Sequence, residues 1–531
     1  TSTDFERAAR LIERRGRQII LQGQIQTMLA WLGALPDAVV YARPQLSLLY
    51  AIALQNNNQL SAVEARLQAA EQHIPVDLPV EQARLLLAPL TTIRSSAAFY
   101  VGDLARGVAF GQDALDRLPE TEREVRPFAL MEAAHAFLVN GDVRSSAEGL
   151  IKEAQAAAEI LDSLFLSLRS LILLARMRKL QGRLHHAAAT YRQASQSVPT
   201  ETELSYMAGG FLYDIGLGDL LREWNDLKKA SWHLSRGLEL IRATQAAEAD
   251  VVTEGYIALA RLQQASGEYS QALATLDAYV ALADARSYVP HLLTGVAAVR
   301  AHLAVAQGDL PAARCWAGQS GLSPHDAELP YAREREYLTL ARVRIAQGRE
   351  DPAGPFLADA LHVLNRLLQE AEAKARMGSA LEMLILQALA LHAQQDRQGA
   401  LIALQRALTL AAPEGYIRLF VDEGVPMHVL LRQMRPHVHG SMQGYVATLL
   451  SAFGGQPASP APGPSSLVEP LTGREREVLR LLLEGASNRE IARRLVLSIN
   501  TVKRHIYNLC GKMGVQSRTQ AIVKARALDL S

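Results

Sequence analysis

The chain has 531 residues, with 55 Lys plus Arg against 54 Asp plus Glu, a formal net charge of +1. At roughly 100–200 residues per domain this length allows about three to five compact units, or one long repeat array with a small companion. Near neutrality excludes a whole-chain field for nucleic acid or membrane, and 49% hydrophobic against 21% charged residues excludes wholesale disorder.

Aromatics are only 5% and the apolar excess lies in Ala and Leu, which points to helices rather than sandwiches or barrels. Cys315 and Cys510 are 195 positions apart. They can form neither a disulfide framework nor a Cys-based zinc site, and they read as small buried hydrophobes in a reducing, cytoplasmic compartment. No run of about 18 apolar residues is present, so no membrane span is expected. The start, Thr1-Ser2-Thr3-Asp4-Phe5-Glu6-Arg7, lacks the pattern of a signal peptide and an initiator Met. Phe5 to Ile12 opens already inside a helical pattern, which favours the carboxyl-terminal part of something longer over a shorter protein of the same kind.

A turn signature recurs along residues 1–453: Gly or Asn, usually Asp or Glu next, and a small residue five on. It begins at Gly102, Gly141, Gly182, Asn225, Gly267, Gly308, Gly348 and Gln395, with a weak copy near Asn57. Successive spacings are 39, 41, 43, 42, 41, 40 and 47. The small residues are Gly107, Ser146, Ala187, Ala230, Ala272, Ala313, Ala353 and Ala400. Gly or Asn suits the left-handed position that ends a helix. A small side chain one turn into the next helix lets the two cross closely. An amphipathic run flanks each turn, as in Ile257–Ala265 and Gln271–Asp277. One hairpin cannot bury both apolar faces, so about eight or nine pairs are expected to stack into a TPR-like superhelix whose concave face binds something unspecified. Tyr213, Trp224 and Tyr256 are candidate wall residues, each also readable as ordinary packing.

Glu414 to Gly424 carries turn residues around a short apolar core and reads as a cap on the array, followed by a last helix to about Phe453. Residues 454–467 are rich in Pro, Gly and Ser, the composition of a tether.

The remaining unit, 468–531, differs in charge. From Leu471 to Ser531 there are 12 Lys plus Arg and 5 Asp plus Glu, a net of +7, which leaves 43 against 49, a net of −6, for the rest. A basic tail on an acidic body is the split expected of a tethered nucleic-acid module. Thr472–Glu475, Ser487–Glu490 and Ser517–Gln520 are capping boxes, and Ser498 is a further N-cap, so four short helices are predicted. The second and third, joined by Val496-Leu497-Ser498, form a helix-turn-helix. In the third, Val502, Ile506, Leu509 and Met513 recur on one face, while Asn500, Lys503, Arg504, Tyr507 and Gly511 fall opposite. That basic, polar and aromatic face suits a major groove.

These residues, from Leu471-Thr472-Gly473-Arg474-Glu475 through Ser487-Asn488-Arg489-Glu490-Ile491-Ala492 and Thr501-Val502-Lys503-Arg504-His505-Ile506 to Ser517-Arg518-Thr519-Gln520-Ala521, resemble the LuxR-type helix-turn-helix domain. Glu223 to Leu227 and Gly415 to Gly424 resemble the repeat part of the large MalT-like bacterial regulators. The resemblance implies a DNA-binding transcriptional regulator acting on double-stranded DNA. Lys503, Arg504 and Tyr507 would reach bases, and Asn488, Thr501 and Lys512 would contact phosphates or position the helix. It also implies self-association through the last helix, which includes Ala521, Ile522 and Ala525, and a small-molecule or protein inducer on the repeats. An ATP-binding module precedes the repeats in such proteins. This sequence has no Gly-x-x-x-x-Gly-Lys-Ser/Thr, since Gly511-Lys512 lacks the upstream glycine, so no cofactor is expected in this chain.

No enzyme is expected either: Gly-x-Ser-x-Gly and His-Glu-x-x-His are absent. The close pairs His185-His186 and His437-Val438-His439 lack helical metal spacing. The alternative function is a protein–protein scaffold in which the repeats do the work and the tail is accessory.

Overall fold

The computed structural model of the chain describes residues 2–21, 24–57, 59–74, 78–100, 103–122, 125–161, 163–197, 210–244, 249–286, 288, 290–454, 473–495, 497–512, 518, 521, 522 and 525. Among the described residues all regular structure is helical. Nine antiparallel helical pairs occur among them, from Pro44–Asn56 with Leu60–Gln72 to Met377–Ala393 with Arg397–Ala411. None of the described helices is long and apolar enough to cross a membrane.

The repeating turn works as its chemistry requires. Gly141, Gly182, Asn225, Gly267, Gly308 and Gln395 all have φ between 61° and 80°. In each, the next residue's N–H reaches back to a carbonyl five positions earlier, as from Asp142 to Phe137 at 2.8 Å, Arg183 to Arg178 at 2.8 Å and Asp309 to Ala304 at 2.8 Å. This is the Schellman bond that satisfies the end of the first helix. The acidic residue that often follows caps the second helix: Asp309 and Asp396 accept from the N–H of Ala312 and Gly399, at 3.1 and 2.9 Å. The expected small residues Ala187, Ala230, Ala272, Ala313 and Ala400 are fully buried where the helices cross.

Several expectations need correction. Ser146 is exposed, and its neighbour Ala147 holds the crossing position instead. Gly348 ends no helix. It lies inside Glu334–Glu350, where a methyl group would overlap the Leu357 side chain of the partner helix. The turn of that pair falls after Glu350, and Ala353 is exposed within it. Cys315 is exposed rather than buried. Of the aromatic residues, Tyr213 and Tyr256 are core residues, in line with their reading as ordinary packing, and Trp224 is half-buried. Gly102 and, apart from Gly454, the expected tether at 454–467 lie outside the described residues.

The largest buried cluster extends from Leu168 to Leu449, while Leu310, Ala313 and Val343 form a small one of their own and the earlier pairs carry further separate clusters, as expected of pairs that pack mainly on their neighbours. The superhelix also closes on itself. The Val143 N–H donates to the Lys374 carbonyl at 3.1 Å, and the Arg376 guanidinium donates to the Gly141 carbonyl at 2.9 Å. Arg376 also pairs with Glu334 at 2.8 Å and lies 4.7 Å over the Tyr331 ring. An early turn is thereby fastened to a late one 235 residues away.

The segment expected to cap the array instead turns inward at Gly415 (φ 71°). The Ile417 N–H donates to the Glu223 carbonyl at 3.1 Å, and the Leu419 N–H donates to the Glu223 carboxylate at 2.8 Å. Trp224 Nε1 donates to the Glu414 carbonyl at 2.9 Å. Two further helices, Val425–Met434 and Ser441–Ala452, add Met427, Leu430, Leu431, Val446 and Leu449 to the main core.

Candidate nucleic-acid interface

The carboxyl-terminal unit has its own core of Val478, Leu479, Leu481, Leu482, Ile491, Val502 and Leu509, with Ala521 and Ala525. Its first helix, Gly473–Leu483, ends where Gly485 adopts φ 82°, and the Ala486 N–H bonds to the Leu481 carbonyl at 3.0 Å. The second helix, Asn488–Leu495, opens with a reciprocal capping box. The Ser487 N–H donates to Glu490 at 2.7 Å, and the Glu490 N–H donates to Ser487 Oγ at 3.3 Å. Those hydrogen bonds from Ser487 hold the Glu490 carboxyl below its ordinary value. The turn is fixed by the Leu497 N–H on the Ala492 carbonyl at 2.9 Å. Ser498 Oγ then accepts from the Thr501 N–H at 3.1 Å and starts the third helix, Ile499–Lys512.

Two arginines lock the angle between the first two helices and the turn before the second. Arg474 donates to the Leu495 carbonyl at 2.5 Å. Arg518 donates to the Ala486 carbonyl at 2.6 Å and to Asn488 Oδ1 at 3.0 Å.

The third helix sorts its faces as its period dictates. Val502 and Leu509 are fully buried, and Ile506 packs against the same core. Lys503 is exposed. The helical backbone puts positions 504 and 507 on the same side as 503, while the side chains of Arg504, Tyr507 and Lys512 lie outside the described residues. Thr501 is buried, with its hydroxyl 2.8 Å from Ser498 Oγ, so it shapes the start of the helix. Asn488 is half-buried, and its bond to Arg518 fixes its amide. Around this face Arg489, Arg493 and Arg494 are exposed cations. His505, buried on the core side, was not singled out from the sequence. Ala521 and Ala525 are fully buried in the unit's own core, which removes them as contacts for a second copy. Thr472, Met513, Ser517, Thr519 and Gln520 lie outside the described residues.

A second constellation lies within the repeats. Arg222 pairs with Asp219 (3.0 Å), Glu223 (3.2 Å) and Asp422 (3.5 Å). Arg342 pairs with Glu382 (2.7 Å) and Glu423 (2.6 Å). Burial opposes charge on Asp219, but Lys179, Arg222 and Arg261 outweigh it and hold its carboxyl far below the usual range. Burial pushes Glu223 up against the pull of Arg222. These residues are spread over more than 240 positions and carry no local signature. No group of three His, Cys, Asp or Glu side chains among the described residues is placed to hold a metal.

Residues 88–437 match the family model of the MalT-like TPR region, and residues 469–525 match that of bacterial regulatory proteins, luxR family. The HTH-type transcriptional regulator MalT of Yersinia pestis (strain Pestoides F) is 26% identical over 524 residues, covering 94% of this chain and 55% of that protein. MalT of Serratia proteamaculans (strain 568) is 26% identical over 523 residues, with the same coverage. The chain thus spans about half the length of the curated relatives it matches. Among solved structures, a Rap protein complexed with competence and sporulation factor superposes with a TM-score of 0.52 at 14% identity. That match covers 70% of this chain and 98% of the other, and it is a likeness of fold alone.

Proposed function

We propose that this chain, which belongs to the MalT-like TPR family and ends in a luxR-family domain, is the sensing and DNA-binding part of a bacterial transcriptional regulator. The observation that carries this reading is the capped helix Ile499–Lys512, seated by Val502 and Leu509 with Lys503 turned outward. Such a helix fits a major groove, where cationic and amide side chains meet base edges. Lys503, Arg504 and Tyr507 are assigned to bases and Lys512 to a phosphate. Thr501 and Asn488 act by positioning, through Ser498 and Arg518.

The repeat superhelix is the sensor for a small-molecule or protein inducer, and self-association accompanies the active state. A role on operator DNA goes with a cytoplasmic protein. An ATP-binding module ahead of the repeats belongs to the proposal for the whole protein. The test is a mobility shift of the full chain on duplex DNA at low ionic strength. Retardation that weakens as salt rises supports the reading, since released counterions set that slope. No retardation by the wild-type chain leaves only the scaffold.

A further inference from the structure

Between the repeats and the inward segment lies a cavity of about 470 Å³, within the size range of small-molecule sites. Its walls come from the helices Ala249–Ala265, Pro290–Gln307, Glu334–Glu350 and Met377–Ala393. Residues 418, 421–426 close it from the other side. It is therefore built jointly by the sensor and by the stretch of chain that leads toward the DNA-binding unit.

The charges facing this cavity do not cancel evenly. Arg342 is bound to Glu382 and Glu423, and Arg418 to Asp422 and, at 3.3 Å, to Asn225. The two carboxylates in the wall, Asp422 and Glu423, are thus each already matched by a guanidinium. Arg349 is left over. It faces the cavity and makes no ion pair or hydrogen bond among the described residues. Arg349 is itself exposed, so its guanidinium meets the cavity from the solvent side, and the neighbouring protein still lowers it from the ordinary arginine value, against the pull of Glu423. Gln264 is more than nine-tenths buried, lines the same cavity, and its side-chain amide has no hydrogen-bond partner among the described residues. The half-buried His302 imidazole also lines it and has no hydrogen-bond partner among the described residues. Burial keeps that imidazole neutral, with Arg342 and Arg261 adding to the effect. The rest of the wall is apolar or aromatic, including Val305, Ile345, Leu386, Leu389 and Tyr269.

We propose that this cavity binds a small organic anion, with Arg349 as its counterion, Gln264 and His302 as its hydrogen-bonding partners, and the apolar wall holding its carbon skeleton. A guanidinium with no carboxylate partner at the cavity favours an anion, which it can meet with charge-assisted hydrogen bonds, over a neutral ligand, which it cannot. The apolar wall selects an organic body over a bare inorganic ion. This deepens the reading of the repeats as a sensor and rests on it.

The experiment is isothermal titration of the full chain with citrate, phosphoenolpyruvate and glucose 6-phosphate, with glucose as the uncharged control. These probes separate carboxylate from phosphate as the recognised group. At least one anion is expected to bind where glucose does not, and Arg349→Gln is expected to weaken it about tenfold or more, the loss of one charge-assisted hydrogen bond. Arg314→Gln, an exposed arginine outside the cavity that pairs with Glu350, is expected to leave binding unchanged. Because Arg349 has no partner to lose, its variant should melt as the wild type does. Absence of binding by all three anions, or equal binding by Arg349→Gln, overturns the proposal. The readout involves no DNA, so a failure of the regulator reading is seen separately, in the mobility shift.

Discussion

Replacing Arg376 by Ala should open the superhelix at the point where it closes. The Arg376 side chain is only 2% exposed, and it joins the Gly141 carbonyl at 2.9 Å to the Glu334 carboxylate at 2.8 Å. Its removal leaves the Gly141 carbonyl without that donor and Glu334 with only the Ser379 hydroxyl, at 2.6 Å, from this cluster. Breaking one side of a buried pair typically costs about 3–5 kcal/mol. Arg376 Nε has no hydrogen-bond partner among the described residues, so the guanidinium is incompletely satisfied and the lower end, about 3 kcal/mol, is expected.

The sign of the pH dependence follows from Glu334. Burial already raises its carboxyl above the ordinary value, against the pull of Arg376. A raised carboxyl binds more protons folded than unfolded, so stability falls as pH rises through the acid range. Without Arg376 the rise should grow, and the variant should regain stability relative to wild type as pH falls from neutrality. Arg376→Ala combined with Glu334→Gln should recover at least about 1 kcal/mol, because the stranded charge is gone. The assay is urea denaturation followed by circular dichroism, with hydrogen exchange at the Val143 amide, which bonds to Lys374 across the closure. A change below about 0.5 kcal/mol, the usual scale of a surface substitution, with unaltered exchange at Val143 would refute the closure as a stabilising contact.

Gly348→Ala should destabilise by about 1–3 kcal/mol, since the added methyl meets Leu357. Helix propensity alone predicts a gain for Ala over Gly, so the sign of the denaturation midpoint shift decides between them. Ser498→Ala should lose about 1 kcal/mol from the carboxyl-terminal bundle through the missing cap on the Thr501 N–H, read as an earlier melting of that unit. Glu490 adds stability above the ordinary glutamate range that is lost as pH falls through its lowered folded value; Glu490→Gln should flatten that acid limb. On operator DNA, Arg504→Ala should weaken binding by about 1–3 kcal/mol and relax specificity at one base. Lys512→Ala should weaken all sequences alike and reduce the salt slope by about one.

The helical pairs were legible because their information is local. A left-handed turn residue, an acidic cap and a small residue at the crossing all fall within six positions, and Gly182 to Ala187 carries two of the three. The reading failed at Gly348 because the same residue type serves a different need there, close approach of Leu357 rather than positive φ. Ala375, at φ 60°, is a left-handed residue between pairs that its side chain gives no cause to suspect. The helix-turn-helix was legible for the same local reason, through Ser487–Glu490, Gly485 and Ser498. The inward course of 415–424 was not. Its partners Glu223, Trp224, Asn225 and Arg342 lie far off in the chain, and only the superhelical path brings them together.

The decisive titration is of the full chain against a fluorescent mixed-sequence duplex across a salt series, beside the Lys503→Ala/Arg504→Ala variant. Log affinity should fall linearly with log salt, and the variant should bind more weakly at every salt with its melting unchanged. Duplex binding that ignores salt, or that the double substitution leaves intact, would contradict the assignment of the Ile499–Lys512 helix to the groove.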